Sequence, residues 1–395
     1  MLIADEGLRE KRFWESPSPA IELDRAIEEA LQKIDLSLRT FGHGFLSPMT
    51  EGNRYQASNN TGWTSGFWTG ILWLAYELTG KADYRLAAEA HVESFAERLA
   101  NNVELNHHDI GFLYTPSCVA AYKLTGNELA KETAMKAAEH LMMTRYENGA
   151  GIFRCWSWGK YAEPPYNGNV IIDSLMNMPL LAWASEIAEK PSLREAAFRH
   201  IEKVTANSVR ANASTYHVFY FDPSSGLPMY GETAQGYSDE SCWARGQSWG
   251  VYGSVLNYSY FRDQRLLDIS RKLANYFLNR TPEDMIAYWD FDFKDGSGAY
   301  KDSSASAVTA CGLLELVKWL DNEEEKRYYV NAALHIVKQL HERYTSREQE
   351  DSSALLLHGV GSVPHQSGVD EASLFGDYFY MEALVRLKKN WSPYW

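Results

Sequence analysis

Two stretches of this chain are near copies of each other: Ala75-Tyr-Glu-Leu-Thr-Gly-Lys-Ala-Asp and Ala121-Tyr-Lys-Leu-Thr-Gly-Asn-Glu. Each closes an apolar helical pattern and opens a polar one. In each a glycine, Gly80 or Gly126, stands where a helix C-terminus favours a left-handed residue. Looser versions of the junction follow at Ala182-Trp-Ala-Ser-Glu-Ile-Ala-Glu-Lys-Pro, Asn257-Tyr-Ser-Tyr-Phe-Arg-Asp and Val317-Lys-Trp-Leu-Asp-Asn. A junction that recurs at roughly 45–75 residues is the mark of an array of helical hairpins.

The segments between junctions are of two kinds. In Tyr84–Ala100 a polar stripe of Arg85, Glu89, Glu93 and Glu97 lies opposite an apolar face of Ala88, Val92, Phe95, Ala96 and Leu99, so this helix lies on a surface. Segments near 21–38, 128–144, 192–207, 264–279 and 325–343 read the same way. Ser65-Gly-Phe-Trp-Thr-Gly-Ile-Leu-Trp-Leu-Ala-Tyr76 is apolar nearly all round and must be buried on most sides. A last apolar helix is expected at about 372–388. Six buried helices alternating with six amphipathic ones make an all-α (α/α)6 barrel, the alternative being an open solenoid. Irregular repeats favour closure, as do long connections into the buried helices and short returns, because long loops gathered at one end of a closed ring build a deep pocket. No linker interrupts the pattern, so a single domain over 1–395 is expected. Tyr216-His-Val-Phe-Tyr-Phe221 and Gly149-Ala-Gly-Ile-Phe-Arg-Cys-Trp156 read as short β-hairpins in the rim loops.

The net charge of −14 argues against nucleic acid or an anionic membrane surface as a partner. The opening ten residues lack a basic segment followed by an apolar run, and no stretch approaches the roughly 18 apolar residues of a membrane span. The four cysteines, Cys118, Cys155, Cys242 and Cys311, are widely spaced, which reads as a reduced, cytoplasmic protein.

Nucleotide-binding glycine loops, a nucleophile-elbow serine and H-E-x-x-H are absent from the sequence, and the adjacent His107 and His108 do not point two rings at one ion on a helix. Neither cofactor nor metal is expected. What remains are polar residues on the loops that enter buried helices. His107-His-Asp109-Ile-Gly-Phe-Leu-Tyr and Tyr166-Asn-Gly-Asn-Val-Ile-Ile-Asp173-Ser-Leu-Met-Asn share one design, a polar loop with a single aspartate running into an apolar helix. Such an aspartate reads either as a helix cap or as a working acid. On one rim of a barrel, two carboxyls facing a shared pocket push their acid strengths apart, so that one keeps its proton near neutral pH. Trp63, Trp158, Trp243 and Trp249 would wall such a pocket and strengthen the effect by excluding water. With 13 Trp, 24 Tyr and 16 Phe the chain has flat rings enough for sugar faces, although a large core uses aromatics too. Arg245 reads either as the rim partner of Asp239 or Glu240 or as a ligand group, His217 as a core histidine or a site residue, and Gln235 as loop or site.

Taken together, Asn59-Asn-Thr-Gly-Trp63-Thr-Ser-Gly-Phe-Trp68, His108-Asp109-Ile-Gly-Phe, Asn169-Val-Ile-Ile-Asp173-Ser-Leu-Met-Asn and Trp243-Ala-Arg245-Gly-Gln-Ser-Trp249 resemble the unsaturated glucuronyl hydrolases of glycoside hydrolase family 88. The resemblance covers nearly the whole chain. It implies an (α/α)6 barrel that acts in the cytoplasm on oligosaccharides released by polysaccharide lyases, removing the terminal 4,5-unsaturated uronic acid. The implied chemistry is hydration of an enol ether. An acid protonates C4, water adds at the C5 oxocarbenium ion, and the resulting hemiketal opens to release the aglycone. By similarity Asp173 is the acid and then the base that activates water. Asp109 sits beside the reacting ring and helps hold Asp173 protonated. His217, Gln235 and Arg245 match positions around the sugar, with Arg245 as the partner of the substrate carboxylate, and the four tryptophans pack on sugar rings.

Family members that prefer sulfated fragments are similar to each other in a C-terminal loop with serines followed by a lysine. Here that loop reads Gly361-Ser-Val-Pro-His-Gln-Ser367-Gly-Val-Asp370-Glu, with no lysine. Ser367 stays a candidate contact, His365 is a weak substitute for the lysine, and Asp370 and Glu371 are expected to repel a nearby sulfate. A sister family that acts on unsaturated rhamnogalacturonan shares the implied barrel and chemistry and is the alternative reading. A sugar 2-epimerase would rely on histidine pairs instead.

Overall fold

In a computed structural model, which describes residues 3–9 and 18–395, the apolar stretches form the inner ring of the molecule and the amphipathic ones the outer ring. Residues 1–2 and 10–17, part of the opening segment and of the expected 1–395 domain, lie outside the described residues. The outer helices are α1 (Leu23–Phe41), α3 (Ala82–Ala100), α5 (Glu128–Arg145), α7 (Pro191–Asn207), α9 (Gln264–Arg280) and α11 (Glu323–Arg343). The inner ones are α2 (Ser65–Thr79), α4 (110–125), α6 (Met178–Ala188), α8 (Ala244–Phe261), α10 (Ser303–Leu316) and α12 (Leu374–Lys388). Each inner helix packs on the inner helices before and after it, and α12 returns to α2. The fold is an (α/α)6 barrel.

Burial follows the sequence pattern. Every residue from Ala244 to Asn257 in α8 is buried, as is every residue of α10. By contrast, α3 buries one stripe that includes Tyr84, Ala88, Val92 and Phe95. Gly80 (φ 68°) and Gly126 (φ 69°) close α2 and α4 in the left-handed conformation, as the repeated junction predicts. At the looser junctions Glu189 (φ 54°) and Arg262 (φ 57°) take the same conformation without glycine. The inner helix α4 is not uniform: Ile110–Tyr114 is α-helical, Thr115–Val119 is a π turn and Ala120–Thr125 is α-helical again. Pro116 lies in the π turn, and its missing N–H and bulky ring disfavour the regular hydrogen-bond ladder there.

The loops are asymmetric. Returns from inner to outer helices are short (residues 80–81, 126–127, 189–190, 262–263), whereas entries are long (residues 146–177, 208–243, 344–373). Among the described residues, the entry loops hold all the strands. Residues 152–153 form one side of a two-residue hairpin with 146–147. The expected hairpin at 216–221 is something larger: Val218–Phe221 is the central strand of a three-stranded antiparallel sheet, flanked by Asn169–Ile171 and Pro228–Glu232. Sequence periodicity missed the first of these partners because a three-residue strand is too short to show alternation.

Candidate active site

That three-stranded sheet places Asp173. The stretch before it is a strand and not a loop, and Ile171 pairs with Val218. The Ile172 N–H then donates to the His217 carbonyl at 3.1 Å, so the chain turns beside His217. Asp173 lies in a 3-10 turn, Ile172–Met176, ahead of α6. The cap reading fails here: the residue at the cap of α6 is Asn177, and the Asp173 carboxylate instead meets His108. Asp109 does occupy the cap position of α4, but its side chain makes no capping bond either.

Both carboxylates converge on one ring nitrogen. His108 Nε2 lies 2.8 Å from Asp173 Oδ1 and 3.2 Å from Asp109 Oδ1, and the ring is 1% exposed. His107, its neighbour in sequence, turns elsewhere: its Nε2 meets the Glu104 carbonyl at 3.0 Å, and its Nδ1 lies 3.1 Å from the Asp109 backbone nitrogen and 3.4 Å from Asp109 Oδ2. Burial pushes Asp173 above the usual carboxylate range. The nearby His108 charge offsets part of that rise and the Asp109 charge adds to it. Burial also acts on Asp109, but His108 and His107 more than reverse it and leave Asp109 below the usual range. For His108, burial disfavours the charged ring, yet Asp109, Cys155 and Asp173 together outweigh it and hold the imidazole well above its ordinary value. The site is therefore a histidine displaced toward its charged form, between one carboxyl displaced below the usual range and one displaced above it. Among the described residues these three side chains form the one cluster close enough to be considered for a cation.

The cluster opens into a cavity of about 410 Å³. Trp63, Trp158, Trp243 and Trp249 line it together with both aspartates. They differ in exposure: Trp158 is 53% exposed at the mouth, whereas Trp249 is 1% exposed and packs on Phe112 and Phe379. Trp63 lies parallel to Phe375 at 5.4 Å, which fixes its ring. His217, Gln235 and Arg245 also reach the cavity. His217 Nδ1 accepts the backbone N–H groups of Ala234 and Gln235, both at 3.1 Å, so its proton is on Nε2. Burial and the Arg245 charge push this imidazole down to about 3, and it is a neutral donor.

Arg245 is not paired with Asp239 or Glu240. Its Nη1 donates to Asp302 Oδ2 at 2.8 Å and to the Val360 carbonyl, while Nη2 donates to the Gly361 carbonyl at 2.7 Å and to Gln235 Oε1 at 3.3 Å. The charge expected for an anionic ligand is thus largely balanced by Asp302, and the fork positions Gln235. With Oε1 held, the Gln235 amide N–H groups are left for the cavity.

Ser367 is exposed, in the rim hairpin formed by Gly359–Ser362 and Ser367–Glu371, and does not line the cavity; His365 of the same hairpin does. Asp370 accepts from His358 Nδ1 at 2.7 Å, and Glu371 accepts the N–H groups of Gly52 (2.8 Å) and Asn53 (2.9 Å). Neither carboxylate lines the cavity. Sequence reading missed His108, Trp156 and Tyr161 as lining residues. His108 was dismissed with His107 because adjacent residues point apart, and that divergence is what frees His108 to reach across to Asp173.

The chain matches the model of Glycosyl Hydrolase Family 88 over residues 42–389. The chain belongs to this family. It is 43% identical over 387 residues to the unsaturated chondroitin disaccharide hydrolase of Streptococcus agalactiae serotype III (strain NEM316), covering 98% of this chain and 96% of the relative. The crystal structure of an unsaturated glucuronyl hydrolase from Streptococcus agalactiae superposes with a TM-score of 0.95 at 42% identity, covering 100% of this chain and 99% of the other. A mutant of the Streptococcus agalactiae hydrolase complexed with dGlcA-GalNAc6S matches with a TM-score of 0.88 at 40% identity, covering 100% and 99%. This family 88 chain is a glycosidase on an (α/α)6 barrel, and no helix among its described residues is long and apolar enough to cross a membrane.

Proposed function

We propose that this family 88 enzyme removes the non-reducing-end 4,5-unsaturated uronic acid from lyase-generated glycosaminoglycan oligosaccharides by hydrating the enol ether. The observation that carries the reading is a pair of carboxyls, Asp109 buried and Asp173 partly buried, displaced in opposite directions and bridged by His108. Ordinary glycosidases set two carboxyls roughly 5–9.5 Å apart on either side of the sugar. Here both carboxylates reach one nitrogen of His108, and the three groups lie within 4.8 Å of one another. One proton donor beside one fixed negative charge suits protonation of a carbon–carbon double bond.

In this mechanism Asp173 gives its proton to C4, and the C4=C5 pair becomes the new C4–H bond. Positive charge develops at C5 and the ring oxygen, where the ionised Asp109 is favourable. Asp173, now a carboxylate, takes a proton from the water that adds at C5. The C5 hemiketal opens to a ketone, and the aglycone leaves without attack at the anomeric carbon. His217 offers its Nε2–H, and Gln235 its amide N–H groups, to the uronate or to the attacking water. Arg245 sets the position of Gln235 and adds a partly balanced positive charge to the uronate side. Trp63, Trp158, Trp243 and Trp249 hold the sugar rings and keep water out.

The dGlcA-GalNAc6S bound by the relative supports a chondroitin-type disaccharide as substrate. The hairpin 359–371 brings only His365 as a basic group, so a weak preference for sulfated fragments is proposed. The whole chain acts as one catalytic domain in the cytoplasm, in keeping with four buried, unpaired cysteines. The test is optical. Unsaturated uronides absorb in the ultraviolet, and hydration removes the chromophore. Incubation with an unsaturated chondroitin or hyaluronan disaccharide should abolish that absorbance; unchanged absorbance with every lyase-derived disaccharide overturns the reading.

A further inference from the structure

One side chain ties the two acid-bearing segments together. Asn177 is 0% exposed and stands at the cap position of α6, where an asparagine normally accepts an N–H of its own helix. It makes no such bond. Its Oδ1 instead accepts the N–H of Phe112, three residues after Asp109, at 2.8 Å. Its Nδ2 donates to the carbonyl of Asp173 itself at 3.2 Å. One neighbour is a donor and the other an acceptor, so the amide has one orientation that satisfies both. The contact is close: a Cβ on Gly111 would lie 2.5 Å from Asn177 Cα, so only glycine fits beside this clasp. The carboxylates on either side of it both rest on His108 Nε2.

We infer that Asn177 is a positioning residue that sets the spacing between Asp173 and the His108–Asp109 pair. It does not line the cavity. It links the turn that carries the proton donor to the helix that carries the fixed negative charge, giving up the cap of its own helix to do so. The inference rests on the reading of Asp173 as the proton donor.

The test is the kinetics of Asn177→Ala, with Asp173→Asn alongside and rates normalised to the folded fraction. A loosened clasp should lower kcat at least about 10-fold with KM within about 2-fold, because small misplacements of a reacting group are costly. It should also move the alkaline limb of the pH–rate profile to higher pH, since His108 then withdraws less of the Asp173 proton affinity. A purely structural role lowers Tm and leaves the limb in place. Should the alanine variant fail to fold, Asn177→Asp keeps the size and the Phe112 bond, loses the donor to Asp173, and should show the same fall in kcat. Wild-type kcat in the folded variant overturns the inference, as does an unmoved limb in Asn177→Ala. If Asp173→Asn is inactive at the same time, the reading of Asp173 survives. An active Asp173→Asn overturns both.

Discussion

Asp109 and Asp173 stand in stretches of one design, one buried and the other partly buried, yet their acid strengths are displaced in opposite directions. Burial does not separate them, since it raises both. The difference lies in what surrounds each carboxylate. Asp109 has His107 on one oxygen and His108 on the other, at 3.4 and 3.2 Å. Asp173 has His108 on Oδ1 and the Asp109 charge close by. The two carboxyls are divided by unequal neighbours, two histidines acting on Asp109 and one histidine, opposed by the Asp109 charge, acting on Asp173.

The comparison breaks first on the two amides. Asp173→Asn removes the transferable proton and should lower turnover by about 10³–10⁴-fold, near the upper range for a general acid, with the fold and substrate binding kept. Asp109→Asn removes a charge and not the proton, and should lower it less, by about 10²-fold. The ultraviolet assay with an unsaturated disaccharide measures both, and a larger loss in Asp109→Asn would reverse the assignment.

Replacing the bridge gives a smaller effect with a defined sign. His108 holds the Asp173 value down, so His108→Gln should raise it further. The rate depends on the protonated form of Asp173, which then persists to higher pH, and the alkaline limb of kcat should move up. Turnover should fall by roughly 10-fold from the looser geometry. A limb that moves to lower pH would show that His108 is not the charge that tempers Asp173.

Much of the fold was legible because it is local. Burial all round and burial on one stripe leave different patterns within a single helix, and Gly80 and Gly126 mark the ends. The rim was legible only in part, because its contacts span large sequence distances. His108 and Asp173 are 65 positions apart, and Arg245 and Asp302 are 57 apart. Local charge suggested Asp239 or Glu240 for Arg245, whereas Asp239 accepts the Thr233 N–H at 2.9 Å instead. Ser367 is a candidate from its loop alone, and the strand register places it, exposed, at the start of the second strand of the hairpin, paired with Ser362.

The division of labour between the two carboxyls is tested most directly by titrating them. Enzyme labelled with 13C at the aspartate carboxyl carbon should show one signal titrating above the ordinary carboxylate range that disappears in Asp173→Asn and persists in Asp109→Asn. A second signal below that range should disappear only in Asp109→Asn. Asp377, pushed up to about 7 by burial, should titrate high in all three proteins and serves as an internal reference. Loss of the high-titrating site signal in Asp109→Asn with its retention in Asp173→Asn would contradict the account.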